Sequence, residues 1–107
     1  MPLSIAVVVG ASGGIGSALG DELAMNAEFD EVIRLGRPSL DVCDETSVRA
    51  AAAALPGDSV RLVINACGLL HEEARGPEKA LRDLDAAFLA RSFAVNAIGA
   101  ALLMKHI

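Results

Sequence analysis

The sequence predicts an α/β fold in which a parallel sheet is covered by helices on both faces. Short apolar runs typical of buried strands alternate along the chain with segments of helical periodicity. This alternation is typical of parallel sheets with right-handed helical crossovers. A glycine-rich stretch, GASGGIG, directly follows the first apolar run. With 107 residues, the chain is expected to form one domain that spans residues 1–107.

The first third of the chain predicts a strand, a helix and a second strand. Residues 3–9 are almost continuously apolar and rich in valine, as expected for a strand that is buried on both faces. Residues 15–26 then show the spacing of one apolar helical face. The apolar residues of this face are Ile15, Leu19, Leu23 and Ala27. The segment EVIRLG predicts a short second strand that ends in glycine.

The remaining elements continue the alternation. Residues 40–43 predict a brief third strand, and Asp44 or Thr46 is expected to cap a helix that ends at a Pro-Gly pair. The segment SVRLVINA predicts a fourth strand. A polar loop with at most one helical turn is expected over 73–84, and an alanine-rich helical pattern continues from 85 to 107. The elements together predict a doubly wound sheet.

Composition excludes several classes of partner. Apolar residues make up 53% of the chain, charged residues 21%, and the formal charge is -5. This charge disfavours nucleic acid and anionic membrane, since both are polyanions. The start of the chain has neither the basic segment of a signal peptide nor the length of a membrane anchor. Cys43 and Cys67 lack the spacing of a metal site or redox pair, so we expect no metal, reduced thiols and a cytoplasmic location.

The glycine-rich stretch predicts a nucleotide site. Gly10, Gly14 and Gly16 form the pattern G-x-x-x-G-x-G, which no lysine follows, so an ATPase phosphate loop is excluded. In a parallel sheet, ligands bind at the carboxyl ends of the strands, and the next helix offers unpaired N–H groups to a pyrophosphate. We expect Gly10 to form the turn, Gly14 to admit the phosphates and Gly16 to let the helix pack closely. An ordinary strand-to-helix connection is the alternative.

Several motifs in one order resemble the short-chain dehydrogenase/reductase family. GASGGIG is similar to its glycine motif, DVCD to the acidic turn after its third strand, NACG to its N-N-A-G segment, and VNAIG to its mid-helix asparagine segment. GPEKALRDLD and NAIGAALLMKH resemble its C-factor-like branch. The resemblance implies a Rossmann-like fold, covers the family's N-terminal half, and implies a set of cofactor contacts. These are Gly10, Ser12, Gly13, Gly14, Ile15, Gly16, Arg37, Asp41, Val42, Asn65, Ala66 and Gly68.

The resemblance implies a role for each of three polar residues, and a simpler explanation exists for some of them. The resemblance implies that Asp41 binds adenine, although a solvated turn residue would fit the same position. It implies that Asn65 lines the cofactor, whereas an asparagine at a strand end can also hydrogen-bond its own backbone. Asn96 resembles the family's proton-relay asparagine. Because apolar residues surround it on a helix, we expect a buried amide that must find partners.

The end of the second strand bears on the choice of cofactor. NAD-dependent enzymes place an acid there for the ribose hydroxyls, whereas a basic residue accommodates the 2′-phosphate of NADP. This chain has Arg37 and no acid in the segment IRLGRPS, so NADP is preferred over NAD. A solvated arginine would give the same sequence. Arg34 is a weaker candidate because it lies inside the strand.

Two departures from the family pattern limit the prediction. Only three residues separate Arg37 from Asp41, which leaves no room for the family's helix at this point. The family reaction also needs a serine and a Tyr-x-x-x-Lys pair, but this chain has no tyrosine. Neither His71, expected at the surface, nor His106 lies at a family catalytic position. We therefore expect the truncated, cofactor-binding half of an NADP(H)-dependent oxidoreductase acting on a small carbonyl or alcohol substrate.

Two further expectations concern catalysis and assembly. The alternative function is a non-catalytic nucleotide-binding module or a C-factor-like signalling or interaction module, and the chain alone is expected to be inactive. The fourth predicted strand would lack a partner on one side, and such apolar edges favour association. The last helix carries a stripe of small residues, so we expect a homo-oligomer. The stripe consists of Ala86, Ala90, Ala94, Ala97 and Ala101.

Overall fold

The computed structural model describes residues 3–68 and 80–107. A three-stranded parallel sheet in the order β2-β1-β3 forms its centre, and helices flank it. The strands are β1 (Ile5–Val9), β2 (Glu31–Leu35) and β3 (Val60–Asn65). The helices are α1 (Gly14–Ala24), α2 (Glu45–Ala53), α3 (Ala86–Phe93) and α4 (Gly99–His106). Short 3₁₀ turns occupy Gly57–Ser59 and Leu81–Asp83. The predicted α/β class, with a parallel sheet between helices, is confirmed.

The central strand β1 organises the core. All five of its residues are buried, as expected for a strand paired on both sides and covered on both faces. Its alternate residues Ile5, Val7 and Val9 belong to one apolar cluster with Val48 of α2 and Leu103 of α4. Each such side chain contributes about 1.5–3 kcal/mol by burial, so this cluster fixes α2 and α4 on one face of the sheet.

The predicted third strand over residues 40–43 is wrong. The chain forms a turn there, and β2 has β1 as its strand partner in the described sheet. Leu40 and Val42 are nevertheless buried in the same cluster as β1. Their apolar character therefore reflects packing of an irregular segment and not strand pairing. As expected, no helix separates β2 from this turn.

The predicted apolar face of α1 is also wrong in part. Ile15 is 75% exposed, and Ala27 lies beyond the end of the helix. The buried residues of α1 are Gly16 and Gly20. The helix approaches the sheet so closely that glycines occupy the contact, and this contact rotates Ile15 toward the surface.

The C-terminal helix is continuous but not uniform. A π-helical turn over Ala94–Ile98 joins α3 to α4. Within the described residues, the combined segment Ala86–His106 is long and apolar enough to cross a membrane by length and composition, with a mean hydropathy of 1.6 in its most apolar window. In the structure, its Leu103 packs into the core cluster.

An ionic cluster also holds the C-terminal helix on α2. Glu45 accepts hydrogen bonds from Lys105 Nζ at 2.7 Å and from His106 Nε2 at 2.8 Å. These two contacts hold the pKa of Glu45 well below its ordinary value of 4.5, at about 2. Because Lys105 and His106 occupy the last turn of the helix, they also lie at the negative end of its dipole. The contact therefore joins α2 to α4 through one carboxylate.

Candidate cofactor-binding site

A tight turn at Gly10 begins the site. Its φ of 82° lies in the left-handed region, and a Cβ there would lie 2.9 Å from the carbonyl carbon of Ala66 and the nitrogen of Cys67. The Gly10 and Ala11 amides both donate to the Leu35 carbonyl, at 2.8 and 3.2 Å. Glycine is therefore required at position 10 by both conformation and space. The turn follows β1 and contacts the chain at the carboxyl ends of β2 and β3.

The next two glycines of the motif have different surroundings. A Cβ on Gly16 would collide with the backbone of Gly10 and lie 3.1 Å from the Cα of Ala11. A Cβ on Gly14 would meet no atom within 4 Å. Close helix packing therefore needs Gly16, whereas the space beside Gly14 faces outward at the start of α1. Within the described chain, no side chain caps this helix, whose N-cap residue is Gly13. Its first N–H groups can thus receive an anion.

A groove of about 330 Å³ lies between the carboxyl ends of β1 and β2. Arg37 is exposed at this groove, and Ser12 faces Gly36 across it, with the Ser12 Oγ 3.5 Å from the Cβ position of Gly36. The groove therefore combines a guanidinium group with a hydroxyl beside the glycine turn. Its lining residues are Ala11, Ser12, Arg34, Leu35, Gly36, Arg37 and Ser39.

Arg34 is engaged elsewhere. Its NH2 group contacts Asp21 Oδ1 at 2.8 Å, and its NH1 group donates to the Ser17 carbonyl at 3.5 Å. The guanidinium lies against Gly20, where a Cβ would be 2.7 Å from its central carbon. Because Arg34 is held on α1, Arg37 is the better placed of the two arginines to meet a phosphate in the groove.

The turn after the groove contains Asp41 and Val42. Asp41 Oδ1 accepts a hydrogen bond from the Cys43 amide at 2.9 Å, and the Asp41 amide donates to Ser47 Oγ at 2.9 Å. Val42 is buried and faces Gly99 of α4, where a Cβ would lie 2.9 Å from two Val42 side-chain atoms. The Asp41 carboxylate thus organises its own turn, and its contact with adenine stays a prediction.

The end of β3 supplies Asn65, Ala66 and Gly68. Asn65 Oδ1 accepts from the Cys67 amide at 3.0 Å, which is the backbone contact that the plainer interpretation of Asn65 expects. The Ala66 amide donates to the Val9 carbonyl at 2.8 Å and extends the pairing of β3 with β1. The cofactor-lining role of these residues stays a prediction. They lie at the same edge of the sheet as the glycine turn.

The expectation that Asn96 is buried is wrong. Its side chain is exposed, and its Nδ2 donates to Ser92 Oγ at 3.2 Å. The helix buries the stripe that carries Gly99 and Leu103, so the apolar neighbours of Asn96 do not enclose it. Asn96 lies in the π-helical turn, a geometry frequent at functional sites. Its Oδ1 is 3.6 Å from the Cβ position of Gly68, so the helix brings Asn96 to the end of β3.

Two features of this site were not apparent in the sequence. Burial raises the pKa of Cys43 and of Cys67 above 9.0, Asp41 adds to the increase in both, and Arg37 opposes it. The Val42–Gly99 contact joins the turn to the last helix. Neither is local in sequence, so no local pattern could reveal it. His71 lies outside the described residues, and among those described no group of three His, Cys, Asp or Glu could hold a metal ion.

Comparison with solved structures relates this geometry to known proteins. No protein-family model matches the chain, and no curated protein does. A small-chain dehydrogenase superposes with a TM-score of 0.78 at 25% identity, covering 97% of this chain and 46% of that protein. The chain has a short-chain dehydrogenase fold. This similarity supports assignment of the chain to the short-chain dehydrogenase/reductase superfamily.

Two further structures with the short-chain dehydrogenase fold contain a nucleotide. One is a small-chain dehydrogenase in complex with NADPH, at 25% identity and a TM-score of 0.78, covering 97% of this chain and 44% of that protein. The other is an NADPH-bound carbonyl reductase from chicken fatty liver, at 17% identity and a TM-score of 0.77, covering 99% of this chain and 47% of that protein. The chain thus spans about half the length of the solved structures that it matches.

Proposed function

We propose that this chain carries the NADP(H)-binding part of a short-chain oxidoreductase that acts on a small carbonyl or alcohol substrate. The observation that carries the proposal is the groove beside the glycine turn, in which Arg37 and Ser12 accompany an uncapped helix start. Similarity to a dehydrogenase solved with NADPH supports the same cofactor.

The open space at Gly14 and the first N–H groups of α1 would receive the pyrophosphate. Arg37 would bind the 2′-phosphate with two charge-assisted hydrogen bonds, and Ser12 would add a hydroxyl donor. Asp41 and Val42 would contact adenine. We assign the remaining contacts to the rest of the predicted set: Gly10, Gly13, Ile15, Gly16, Asn65, Ala66 and Gly68.

The bound cofactor would supply hydride chemistry, and the chain's own residues would orient it. Asn96, which the π-helical turn brings close to Gly68 after β3, would hold a polar group near the reacting end of the site. Reduction of a carbonyl also needs a proton donor within hydrogen-bond reach. The sequence contains no tyrosine, so we propose that the donor of the complete enzyme lies outside these 107 residues.

Substitution of Arg37 tests the proposal. Loss of a charge-assisted pair costs about 1.5–3 kcal/mol, so Arg37→Ala should weaken NADPH binding by about 10-fold to 100-fold. Affinity for NADH, which lacks the 2′-phosphate, should change little. Arg49→Ala, which removes an exposed arginine from α2, is the matched control for net charge. Equal weakening of both cofactors by Arg37→Ala would refute the assignment of the 2′-phosphate to Arg37.

We also propose that copies of the chain associate through β3 and the C-terminal helix. The β3 strand forms one edge of the described sheet, and its Val63 is 38% exposed. On the helix, Phe93 is 63% exposed and Ile98 is 56% exposed. An unpaired strand edge and exposed apolar side chains each favour association. A single monomeric boundary in sedimentation velocity at tens of micromolar protein would refute association.

The alternative is a nucleotide-binding module without catalysis, with C-factor-like signalling or interaction as its role. It predicts the same cofactor affinities and no turnover in any assembly of the complete protein. Steady oxidation of NADPH with a panel of small aldehydes and ketones, measured on the complete protein, would exclude this alternative.

A further inference from the structure

A second arginine lies at the groove beside Arg37. Arg34, near the end of β2, lines the same groove of about 330 Å³ that Arg37 lines. A second guanidinium at one groove would strengthen the attraction for a phosphate, because each guanidinium can donate charge-assisted hydrogen bonds. The structure instead holds the Arg34 side chain against α1. The contacts that hold Arg34 therefore bear on the choice between NADP(H) and NAD(H).

One face of α1 holds the Arg34 side chain. Ser17, Gly20 and Asp21 are three and four positions apart in the helix, so they share this face. Asp21 Oδ1 contacts Arg34 NH2 at 2.8 Å, and the Ser17 carbonyl accepts from NH1 at 3.5 Å. Gly20 leaves room for the guanidinium, since a Cβ there would lie 2.7 Å from its central carbon. The three residues together fix the guanidinium on the helix.

We propose that Asp21 is a specificity-determining residue that withholds Arg34 from the cofactor, so that Arg37 and not Arg34 meets the 2′-phosphate. This inference rests on the proposed function. The side chains of Arg34 and Asp21 are 37% and 71% exposed in their salt bridge. Removal of the carboxylate would therefore free the arginine without leaving a buried, unpaired charge. The freed guanidinium would lie at a groove that it already lines.

Substitution of Asp21 tests this role. Asp21→Ala removes both the charge and the acceptor that hold Arg34, so the freed arginine should add a contact to the 2′-phosphate. The ratio of NADPH affinity to NADH affinity should rise by about 5-fold to 10-fold, because a freed side chain loses rotamer freedom when it binds and so contributes less than Arg37. Glu22→Ala, the removal of an exposed acid at the next position of α1, is the matched control and should leave the ratio unchanged.

A second variant frees the same arginine without any change of charge. In Gly20→Ala, the new methyl group would displace the guanidinium, which is the end of a flexible side chain and can move aside. The affinity ratio should therefore rise in this variant as well. When Arg34→Ala is combined with either Asp21→Ala or Gly20→Ala, the ratio should stay at its Arg34→Ala value. A general loosening of α1 would instead weaken NADPH and NADH binding alike.

Two measurements report the outcome. Calorimetric titration with NADPH and, separately, with NADH gives the affinity ratio of each folded variant. Nuclear magnetic resonance of the arginine side-chain N–H groups, with inorganic phosphate as the probe, follows Arg34 without any cofactor. The Arg34 signal should shift with added phosphate in Asp21→Ala and stay unchanged in the wild type.

Three results would overturn the inference. They are an unchanged affinity ratio in Asp21→Ala, a rise in the ratio that persists when Arg34→Ala is added, and an Arg34 signal that responds to phosphate equally in the wild type and in Asp21→Ala. Failure of the folded wild type to bind either cofactor would instead contradict the proposed function. The phosphate titration would still decide whether Asp21 withholds Arg34, so the two failures are distinguishable.

Discussion

Substitution of alanine at two glycines of the same motif separates packing from binding. In Gly16→Ala, the new methyl group would collide with the Gly10 backbone, which cannot move aside as a flexible side chain can. In Gly14→Ala, the methyl group would meet no atom within 4 Å. The two variants carry the same chemical change two residues apart in α1. They should therefore differ through the surroundings of the methyl group alone.

The expected magnitudes follow from these surroundings. Overpacking costs about 1–3 kcal/mol, and exchange of glycine for alanine in a helix returns up to about 1 kcal/mol. Gly16→Ala should therefore lower the free energy of unfolding by about 1–2 kcal/mol, a substantial share of the ~5–15 kcal/mol typical of a small domain. Gly14→Ala should unfold at the same or a slightly higher urea concentration than the wild type.

Urea unfolding followed by far-ultraviolet circular dichroism is the suitable assay, because the chain has neither tryptophan nor tyrosine for fluorescence. Gly14→Ala should keep the stability of the wild type but lose cofactor affinity. Its methyl group would occupy the proposed position of the pyrophosphate and weaken NADP⁺ binding by about 10-fold through lost phosphate hydrogen bonds. A Gly16→Ala midpoint equal to that of the wild type would refute the reasoning on packing. Unchanged NADP⁺ affinity in a folded Gly14→Ala would refute the assignment of the pyrophosphate.

Three further perturbations test the rest of the structure by urea unfolding. Gly99→Ala should lower the free energy of unfolding by about 1–3 kcal/mol, because its methyl group would press on Val42. Gly57→Ala is the control, because a methyl group there meets open space and should not lower it. Equal unfolding midpoints for these two variants would contradict the contact between Gly99 and Val42. Asp44→Ala should cost about 1 kcal/mol, because Asp44 Oδ1 caps α2 through the Thr46 amide at 3.0 Å, and an unchanged midpoint would argue against this cap. The pKa of Glu45 is about 2 in the folded chain and 4.5 ordinarily, so the unfolded state protonates Glu45 more readily than the folded state does. The contribution of Glu45 to stability is therefore lost as pH falls from 4.5 toward 2. Glu45→Gln should remove that part of the pH dependence, and an identical acid profile would show that the contacts with Lys105 and His106 do not stabilise the fold.

The sequence was informative wherever local chemistry decides the structure. The buried first strand, the turn at Gly10 and the cap at Asp44 depend on neighbouring residues, and the structure confirms all three. The Gly16 packing contact could be predicted because the motif places glycine where the helix turns back onto the strand. The preference for Arg37 over Arg34 is supported by the ion pair that holds Arg34 on α1.

The predictions that failed depend on tertiary packing. The apolar residues Leu40 and Val42 suggested a strand, but they form a turn that is buried in a cluster with residues of β1, α2 and α4. The apolar neighbours of Asn96 suggested burial, although the helix presents a different stripe to the core. Glu45 meets His106 across 61 residues of sequence. Such contacts depend on how two helices lie on the sheet, which no local periodicity specifies.

We propose above that the carboxyl edge of this sheet binds NADP(H), with the 2′-phosphate at Arg37. Calorimetric titration of the reduced chain with NADPH and, separately, with NADH tests it most directly, with circular dichroism to show that the chain is folded. We predict that NADPH binds more tightly than NADH, by about the 10-fold to 100-fold of one charge-assisted pair. Equal affinity for the two cofactors, or binding of neither by the folded chain, would contradict the claim.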